Sequence, residues 1–395
     1  MKKTVLIGVT GSIAAYKMAD VASSLTKSGI NVYVLMTQNA TKFISPIVFS
    51  TLTGNKCYVD TFDEEGDIVV PHVNLAKMAD LFIVAPASAN CISKLANGIG
   101  DDMLTTTVLA YHGPKMISPA MNTNMYNNQI VQDNLARLRN YGWEIIEPAS
   151  GILACKDEGK GKLPQVEQLL DNIYAYVRRE KDLAGKSVLI SAGPTQEALD
   201  PVRFISNHSS GKMGYALARN AMERGAKVTL ISGNVNLNDV PFVETIKIKS
   251  ASDLAKVAKL KAPEADIVIM AAAVGDYRPK AYSSQKIKKA DGEIVLELEK
   301  TEDVLSYLGH HKRSGQFICG FSMETENLVA NSRAKLEKKQ ADLIVANNLM
   351  DEGAGFKVDT NVVTLITKDE TIACPIAAKE DVAEAILDFI AAKIK

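Results

Sequence analysis

The sequence predicts an α/β protein of two domains, each built on a parallel β-sheet. Three observations carry this reading. Apolar runs of strand length alternate with amphipathic stretches along the whole chain, and runs such as Leu81-Phe82-Ile83-Val84-Ala85 are apolar throughout. Such strands suit a parallel sheet covered by helices on both faces. The same opening also occurs twice, near 4–13 and near 186–195: an apolar strand, then a loop of small residues leading toward a helix. Finally, 395 residues are enough for two or three separate cores.

Taken in order, the first half places strands near 4–9, 31–36, 81–85, 115–118 and 144–147, with helices near 13–28, 41–52, 89–97, 101–111 and 129–140. Gly29 and Gly142 stand where a glycine ends a helix. A further helix over 163–180 carries Val166, Leu169, Leu170 and Ile173, and runs into Arg178-Arg179-Glu180-Lys181-Asp182. That charged run reads as a linker, with the boundary near 182–186. Beyond it, strands fall near 187–191, 227–231, 243–248, 267–271, 317–321, 343–346 and 362–366, and helices near 212–224, 252–260, 302–312 and 326–339. The polar, lysine-rich stretch from Ser283 to Asp291 reads as a mobile loop.

Composition narrows the function. With a net charge of −1 and 23% charged residues, nothing points to nucleic acid, and any anion specificity must be local. Five cysteines (Cys57, Cys91, Cys155, Cys319 and Cys374) without a C-x-x-C pair read as reduced thiols of a cytoplasmic protein, not a disulfide frame or zinc site. Met1-Lys2-Lys3 before apolar residues imitates a signal peptide, but Gly8, Thr10, Gly11 and Ser12 break the run and favour strand–loop–helix. No run reaches the ~18 apolar residues of a membrane span.

A strand feeding a helix start through small residues presents unpaired N–H groups and the helix dipole to an anion. Neither opening is the dinucleotide fingerprint G-x-G-x-x-G. Neither second strand, ending Met36-Thr37-Gln38 or Ile231-Ser232-Gly233, carries the acid that would hold a ribose, so NAD is disfavoured. Ser209-Ser210-Gly211-Lys212 hints at a P-loop, but Ser206 stands where glycine is needed and Met213 follows the lysine. Hydroxyls and amides gather where first-half strands end: Ser12, Thr37, Ser88, Asn90 and Ser118. Each alone is an ordinary cap or turn residue. Together, beyond the carboxyl ends of parallel strands, they suit a monophosphate with a polyol chain and a flat ring, such as FMN.

Three more features of the first half bear on chemistry. His72 can act as acid or base near neutral pH. Asn122, in Pro119-Ala120-Met121-Asn122, can hold a carboxylate through its amide. Cys155 lies between glycines and lysines, as a flap over a site would. Singly, each also fits a bland reading: a satisfied histidine, a turn, a buried thiol. The second half offers a donor-rich loop at 203–214, an acid at Asp276, and lysines at 286, 288, 289, 335 and 339. Those are the parts that fix and neutralise a triphosphate, although isolated lysines are more often solvated surface.

The combination of Gly11-Ser12-Ile13-Ala14-Ala15-Tyr16-Lys17, His72-x-x-Leu75, Ala85-Pro86-Ala87-Ser88-Ala89-Asn90, Pro119-Ala120-Met121-Asn122-x-x-Met125 and Ala154-Cys155 resembles the flavin-containing cysteine decarboxylases. Asn207-His208-Ser209-Ser210-Gly211-Lys212-Met213-Gly214, Ala272-Ala273-Val274-x-Asp276-Tyr277 and Lys286-Ile287-Lys288-Lys289 resemble the bacterial, CTP-using phosphopantothenate–cysteine ligases. The resemblance implies a flavodoxin-like or Rossmann-like FMN domain over 1–182 and a Rossmann-like ligase domain over 186–395. The ligase joins 4′-phosphopantothenate to cysteine through an acyl-cytidylate, and the first domain decarboxylates the product to 4′-phosphopantetheine. By the same resemblance Cys155 is the proton donor, His72 assists oxidation and decarboxylation, and Asn122 and Met125 bind substrate. Gly11, Ser12, Ile13, Thr37, Ser88 and Asn90 hold the flavin. Asn207, Arg203 and Ala273 serve the acyl-cytidylate, and Lys286 closes on the triphosphate. Ala271, Ala272, Asp276, Glu302, Asp303, Val304, Leu305, Phe321, Lys335 and Lys339 form the CTP pocket, with Mg2+ carried mainly by the CTP phosphates. The family's halves assemble as trimers joined into dodecamers and as dimers, so a homo-oligomer is expected.

Departures are Ser12, Lys156, Gly275 and Glu302, where many members have glycine, glycine, alanine and proline. A cation beside Cys155 favours thiolate, while a proton donor must begin as a thiol. The rival readings are a flavin-binding regulatory protein, which would not need His72, Asn122 and Cys155 together; a flavin prenyltransferase, which has no use for the 203–214 loop; and an NAD-dependent reductase, which lacks its ribose acids.

Overall fold

The computed structural model describes residues 2–62, 70–152, 158–288, 295–324, 326–348 and 358–394. The chain folds into two compact units, Met1–Arg179 and Glu180–Lys395. The division falls a few residues before the 182–186 boundary expected from sequence. The reason is visible: Asp182, read as linker, is anchored in the second unit by the guanidinium of Arg224 (Nε–Oδ1 2.8 Å), which also reaches Asp388 at 2.7 Å. Arg224 is buried, so this pairing satisfies a charge that would otherwise be costly to hold out of water.

Among the described residues of the first unit, β1 (Thr4–Val9), β2 (Asn31–Met36), β3 (Cys57–Tyr58), β4 (Leu81–Ala87), β5 (Lys115–Pro119) and β6 (Trp143–Ile145) form one parallel sheet in the order β3-β2-β1-β4-β5-β6. This is the doubly wound order in which the chain reverses direction beside β1. Alternate residues of β1 serve opposite faces. Val5, Ile7 and Val9 pack with Met18, Val21, Leu25 and Ile173, whereas Leu6 joins Phe82, Leu104 and Leu135. Helices therefore cover both faces, as the uniformly apolar strands require.

Some elements differ from the sequence reading. The helix expected over 41–52 is a short 3-10 turn, Ala40–Lys42, followed by a helix Pro46–Thr53. Pro46 lacks an N–H and occupies the first helical position, so the helix starts there. The one expected over 13–28 opens with a 3-10 turn, Ile13–Tyr16, before the α-helix Lys17–Lys27. The sequence reading missed β3, the helix Pro71–Met78 and the antiparallel hairpin of β7 (Ala149–Ile152) and β8 (Glu158–Lys162). All are short, and β8 is mostly glycine and charge, so none shows a strong apolar period.

The second unit holds β9 (Ser187–Ala192), β10 (Gln196–Ala198), β11 (Phe204–Ser206), β12 (Lys227–Ser232), β13 (Glu244–Lys247), β14 (Ile267–Met270), β15 (Tyr277–Pro279), β16 (Leu298–Lys300), β17 (Phe317–Glu324), β18 (Leu343–Asn348), β19 (Thr360–Ile366) and β20 (Thr371–Ala378). The main sheet runs β13-β12-β9-β14-β17-β18-β19-β20; its first six strands are parallel and the last two antiparallel. The six parallel strands repeat the order of the first unit. Two small antiparallel ribbons, β10–β11 and β15–β16, stand apart from this sheet. The sequence reading missed β20 and the closing helix Lys379–Lys393: β20 is mostly exposed, and the helix carries apolar residues such as Ala385, Phe389 and Ala392 outside its buried stripe. Of the expected polar loop, residues 283–288 carry no helix or strand, and 289–291 lie outside the described residues.

One device recurs at the amino ends of the strands. Asp80, Asp266 and Asp342 each stand just before a strand. Each donates its own N–H to a neighbouring strand's carbonyl (Thr4, Ser187 and Ile318, 2.8 Å each). Each also accepts, through its carboxylate, the N–H of the same residue at 2.8 Å. The reciprocal pair fixes register where a ladder would otherwise fray. Asp266→Ala is expected to destabilise the second unit by about 1.5–3 kcal/mol, the range for a hydrogen bond to a charged group. A shift of the corresponding urea midpoint at unchanged slope is the measurement.

Candidate active sites

In the first unit the strand tips are stitched along one edge. Thr37 donates its N–H to Val9 O at 3.0 Å, and Ala120 to Ala87 O at 3.1 Å. Thr10 is wholly buried; its hydroxyl donates to Pro86 O at 2.7 Å and accepts the N–H of Ser88 at 2.8 Å. These bonds bring the loops carrying Gly11, Ser12 and Ile13, then Thr37, then Ser88 and Asn90, to the same edge of the sheet. Ser12 caps the 3-10 turn by accepting from Ala14 N, and Ser88 caps the helix Ala89–Ala96 by accepting from Cys91 N at 3.3 Å. Thr37 accepts from Ala40 N at 3.3 Å. Ile13 and Asn90 are exposed. Thr10 was not singled out from sequence, since a buried threonine in a strand–loop turn has no motif of its own.

Two orphaned groups mark this edge. Among the described residues, neither the hydroxyl of Ser118, fully buried near the end of β5, nor the Nδ1 of His72, on the helix Pro71–Met78, has a hydrogen-bond partner. Buried polar atoms are rarely left unpaired; Tyr111, Thr123, Thr245 and Ser332 carry further such atoms, so it is the place of Ser118 at a strand tip that favours a ligand there. At Gly11 a Cβ would lie 2.8 Å from the Cβ of Asn39, so the loop passes too close there for a side chain.

Asn122 caps the short helix Thr123–Asn127, its Oδ1 accepting from Asn124 N at 2.8 Å, which orients the amide. Met125 is exposed on that helix. Cys155 lies outside the described residues, as does Lys156, but the hairpin β7–β8 that flanks them is fixed to the Asn122 segment. Met121 donates to Gly161 O at 3.0 Å, and Glu147 accepts from Tyr126 at 2.9 Å, from Lys160 at 2.6 Å and from Arg139 at 2.5 Å. Burial alone would raise the Glu147 carboxyl; those donors outweigh it and hold it low.

In the second unit a cavity of about 830 Å³ opens at the carboxyl ends of β14, β17 and β18. Every expected ligase residue lines it except Arg203 and Lys286. Asn207 bridges to the tip of β14, donating through Nδ2 to Ala273 O and Val274 O at 3.1 Å each. Ala273 O also accepts Thr195 N–H at 3.2 Å, and the Thr195 hydroxyl accepts Gly275 N–H at 2.9 Å. At Gly214 a Cβ would sit 2.5 Å from that of Ala192, so only glycine lets the helix Lys212–Glu223 begin so close to β9.

Lys335 and Lys339 lie one turn apart on one face of the helix Leu328–Lys339. Lys335 donates to Phe321 O at 3.0 Å and to Ser322 Oγ at 3.4 Å; Lys339 pairs with Asp303, and Glu302 with Lys259. Burial pushes both Lys335 and Lys339 below the ordinary lysine range, with Asp276 opposing the shift in each. The cavity also includes Lys212, Lys300, Asn361 and Lys379, the last buried at the start of the closing helix. Sequence reasoning missed Lys300, Asn361 and Lys379 because they come from a ribbon, an antiparallel strand and a helix outside any recognised motif. Arg203 instead faces Asp200, bonding it at 2.6 and 3.0 Å, and Lys286 is exposed on the 283–288 segment.

Two Rossmann-ordered units, one with a polar edge at its strand tips and one with a cation-rich cavity there, define a two-domain α/β protein with a candidate ligand site in each unit. Residues 1–178 match the Flavoprotein family, and 183–394 match the DFP family, described as DNA/pantothenate metabolism flavoprotein C-terminal domain. The chain is 46% identical over 397 residues to the coenzyme A biosynthesis bifunctional protein CoaBC of Bacillus subtilis, covering 100% of this chain and 98% of that one. It is 41% identical over 388 residues to the protein of the same name from Vibrio parahaemolyticus, covering 98% and 97%. A crystal structure of the C-terminal domain of a CoaBC protein is 41% identical, covers 54% of this chain and 98% of that chain, and has a TM-score of 0.47. The chain belongs to this family: it is a bifunctional enzyme of coenzyme A biosynthesis, with a flavoprotein decarboxylase domain and a ligase domain.

The half-buried Lys335 and Lys339 yield a pH dependence. A lysine held below its usual range loses its proton, and its hold on an anion, earlier as pH rises. Pyrophosphate affinity measured by calorimetry is expected to fall on the alkaline side, starting below the usual lysine range, and Lys335→Gln should make that fall shallower, leaving the part due to Lys339 and Lys379.

Proposed function

We propose that the second unit activates 4′-phosphopantothenate with CTP and couples it to cysteine, and that the first unit decarboxylates the product with FMN to 4′-phosphopantetheine. Convergence carries the ligase assignment: residues scattered from Asn207 to Lys339 meet at one strand-tip cavity. A carboxylate oxygen of phosphopantothenate attacks the α-phosphorus of CTP and pyrophosphate leaves. The cysteine amine then attacks the acyl carbon, CMP leaves, and an amide remains. Lys335 and Lys339 neutralise triphosphate charge, Asn207 and Ala273 orient the acyl-cytidylate with Arg203, and Lys286 adds a cation from its loop. Ala271, Ala272, Asp276, Glu302, Asp303, Val304, Leu305 and Phe321 complete the nucleotide pocket.

Among the described residues no group of three His, Cys, Asp or Glu side chains is gathered to hold a metal. Magnesium would arrive on the CTP phosphates.

The orphaned Ser118 hydroxyl and the close passage at Gly11 fit a flavin at the first site. Gly11, Ser12, Ile13, Thr37, Ser88 and Asn90 would hold it. When bound, FMN supplies two-electron oxidation of the substrate's thiol side, which makes loss of CO2 easy, and then returns the electrons. His72 holds or moves a proton at its half-buried imidazole, Asn122 and Met125 seat the substrate with the Asn122 amide on its carboxylate, and the Cys155 thiol gives the final proton. On this reading the enzyme works in the cytoplasm as a homo-oligomer; no described helix is long and apolar enough to cross a membrane.

Anaerobic incubation with 4′-phosphopantothenate, cysteine, CTP and Mg2+ should give 4′-phosphopantetheine, CO2, CMP and pyrophosphate by mass spectrometry. A side-by-side assay with ATP should show CTP strongly preferred, and equal rates would overturn the nucleotide assignment. Cys155→Ser should slow formation of 4′-phosphopantetheine from supplied phosphopantothenoylcysteine by about a hundredfold or more while amide formation continues. Asn207→Asp should do the reverse, blocking the amide while supplied phosphopantothenoylcysteine is still decarboxylated. Loss of both activities in either variant would contradict the division of labour.

A further inference from the structure

We propose that Asp200 is a positioning residue for ligation: with Arg203 it latches the backbone between Lys286 and Lys288, and so sets where those cations stand. The inference rests on the role proposed above for Lys286, and it starts from an unusual carboxylate. Asp200 is only 2% exposed, yet its oxygens are fully engaged. Oδ1 accepts the N–H groups of Val202 and Arg203 at 2.8 Å each. Oδ2 accepts Nε and Nη2 of Arg203, at 3.0 and 2.6 Å, and the N–H of Ile287 at 3.0 Å. The Nη2 of Arg203 also donates to Ile287 O at 2.6 Å. One ion pair thus holds both polar backbone groups of a residue 87 positions along the chain.

A second tie lies just before it, where Ser283 donates its N–H to Leu199 O at 3.0 Å. The 199–203 turn therefore grips the 283–287 segment at two points. Lys286 and Lys288 flank the gripped residue, are themselves exposed, and do not line the cavity. Their long side chains have freedom of their own; what the fold fixes is the backbone from which they reach. A bidentate arginine–carboxylate pair is the right device, because its planar fork constrains direction as well as distance. Arg203 is then shared between its proposed substrate role and this latch, so the latch can report on whether substrate is present.

The test is a double-mutant cycle in the full-length enzyme, read as pyrophosphate release from CTP. Asp200→Asn keeps size but places an amide N–H2 against donors. It should lower kcat by about a hundredfold, the cost of an error of roughly 1 Å in positioning. In a Lys286→Gln background the same change should cost less than about threefold, because the group it positions is gone. An equal loss in both backgrounds, or near-normal release by Asp200→Asn, overturns the proposal. Trypsin should cut Asp200→Asn after Lys286 and Lys288 at least tenfold faster than the parent, and unchanged cleavage overturns the latch itself. If Asp200→Asn does not fold, Ile287→Pro, which removes the gripped N–H and also fixes φ there and restricts the backbone of Lys286, takes its place in the cycle with the same outcomes. A Lys286→Gln enzyme with near-normal ligation overturns instead the role of that lysine, a result separable from the cleavage readout.

Discussion

Both sites depend on one constraint: parallel strands stay stitched to their very tips, but the loop backbone beyond those tips has no ladder to pair with. In each sheet the chain order reverses beside its first strand, β1 or β9, so the loops that follow diverge and leave a cleft. Whatever occupies the cleft must supply hydrogen bonds, and the fold answers with the smallest donors it has. In the first unit these are hydroxyls and loop amides around Thr10 and Ser88; in the second they are the Asn207–Ala273 contact and the Thr195–Gly275 contact. Small residues allow this crowding. Ala192 and Gly214 meet where a larger pair would push the helix off its strand.

The two clefts share architecture and differ in electrostatics. The first is bounded by neutral groups, with Ser118 and His72 left unsatisfied. The second concentrates lysines, some of them buried against the cost of desolvation. A neutral edge suits a ligand whose ring and polyol chain matter as much as its phosphate. A cationic cavity suits one whose charge grows as a bond breaks, because fixed positive groups in a partly dry site act strongly without reorganising.

The sheet strands were legible in the sequence wherever both faces are buried, because continuous apolar runs such as 81–85 and 267–270 have no other economical use in a chain of this composition. Segments with one wet face were harder. The residues of β20 alternate weakly, and those of β7 and β8 are dominated by glycine, serine and charge. Candidate site residues were legible through motifs, and those motifs sit in loops that follow strands. Lys300, Asn361 and Lys379 were not, since each reaches the cavity from a peripheral element and no local spacing ties it to the others. Arg203 shows the opposite limit. Its motif was plain, but that its guanidinium would be held by a buried neighbour three residues away could not be read from residue types alone.

The Arg224 cluster has a topological consequence. Asp182, at the beginning of the ligase unit, and Asp388, on its closing helix, are clasped by the same guanidinium. The unit's two ends therefore lie side by side, joined by charge where a covalent loop could equally run. A body closed in this way can be cut open at an exposed turn and rejoined across the clasp, or spliced whole into a foreign chain, with little strain on its sheet.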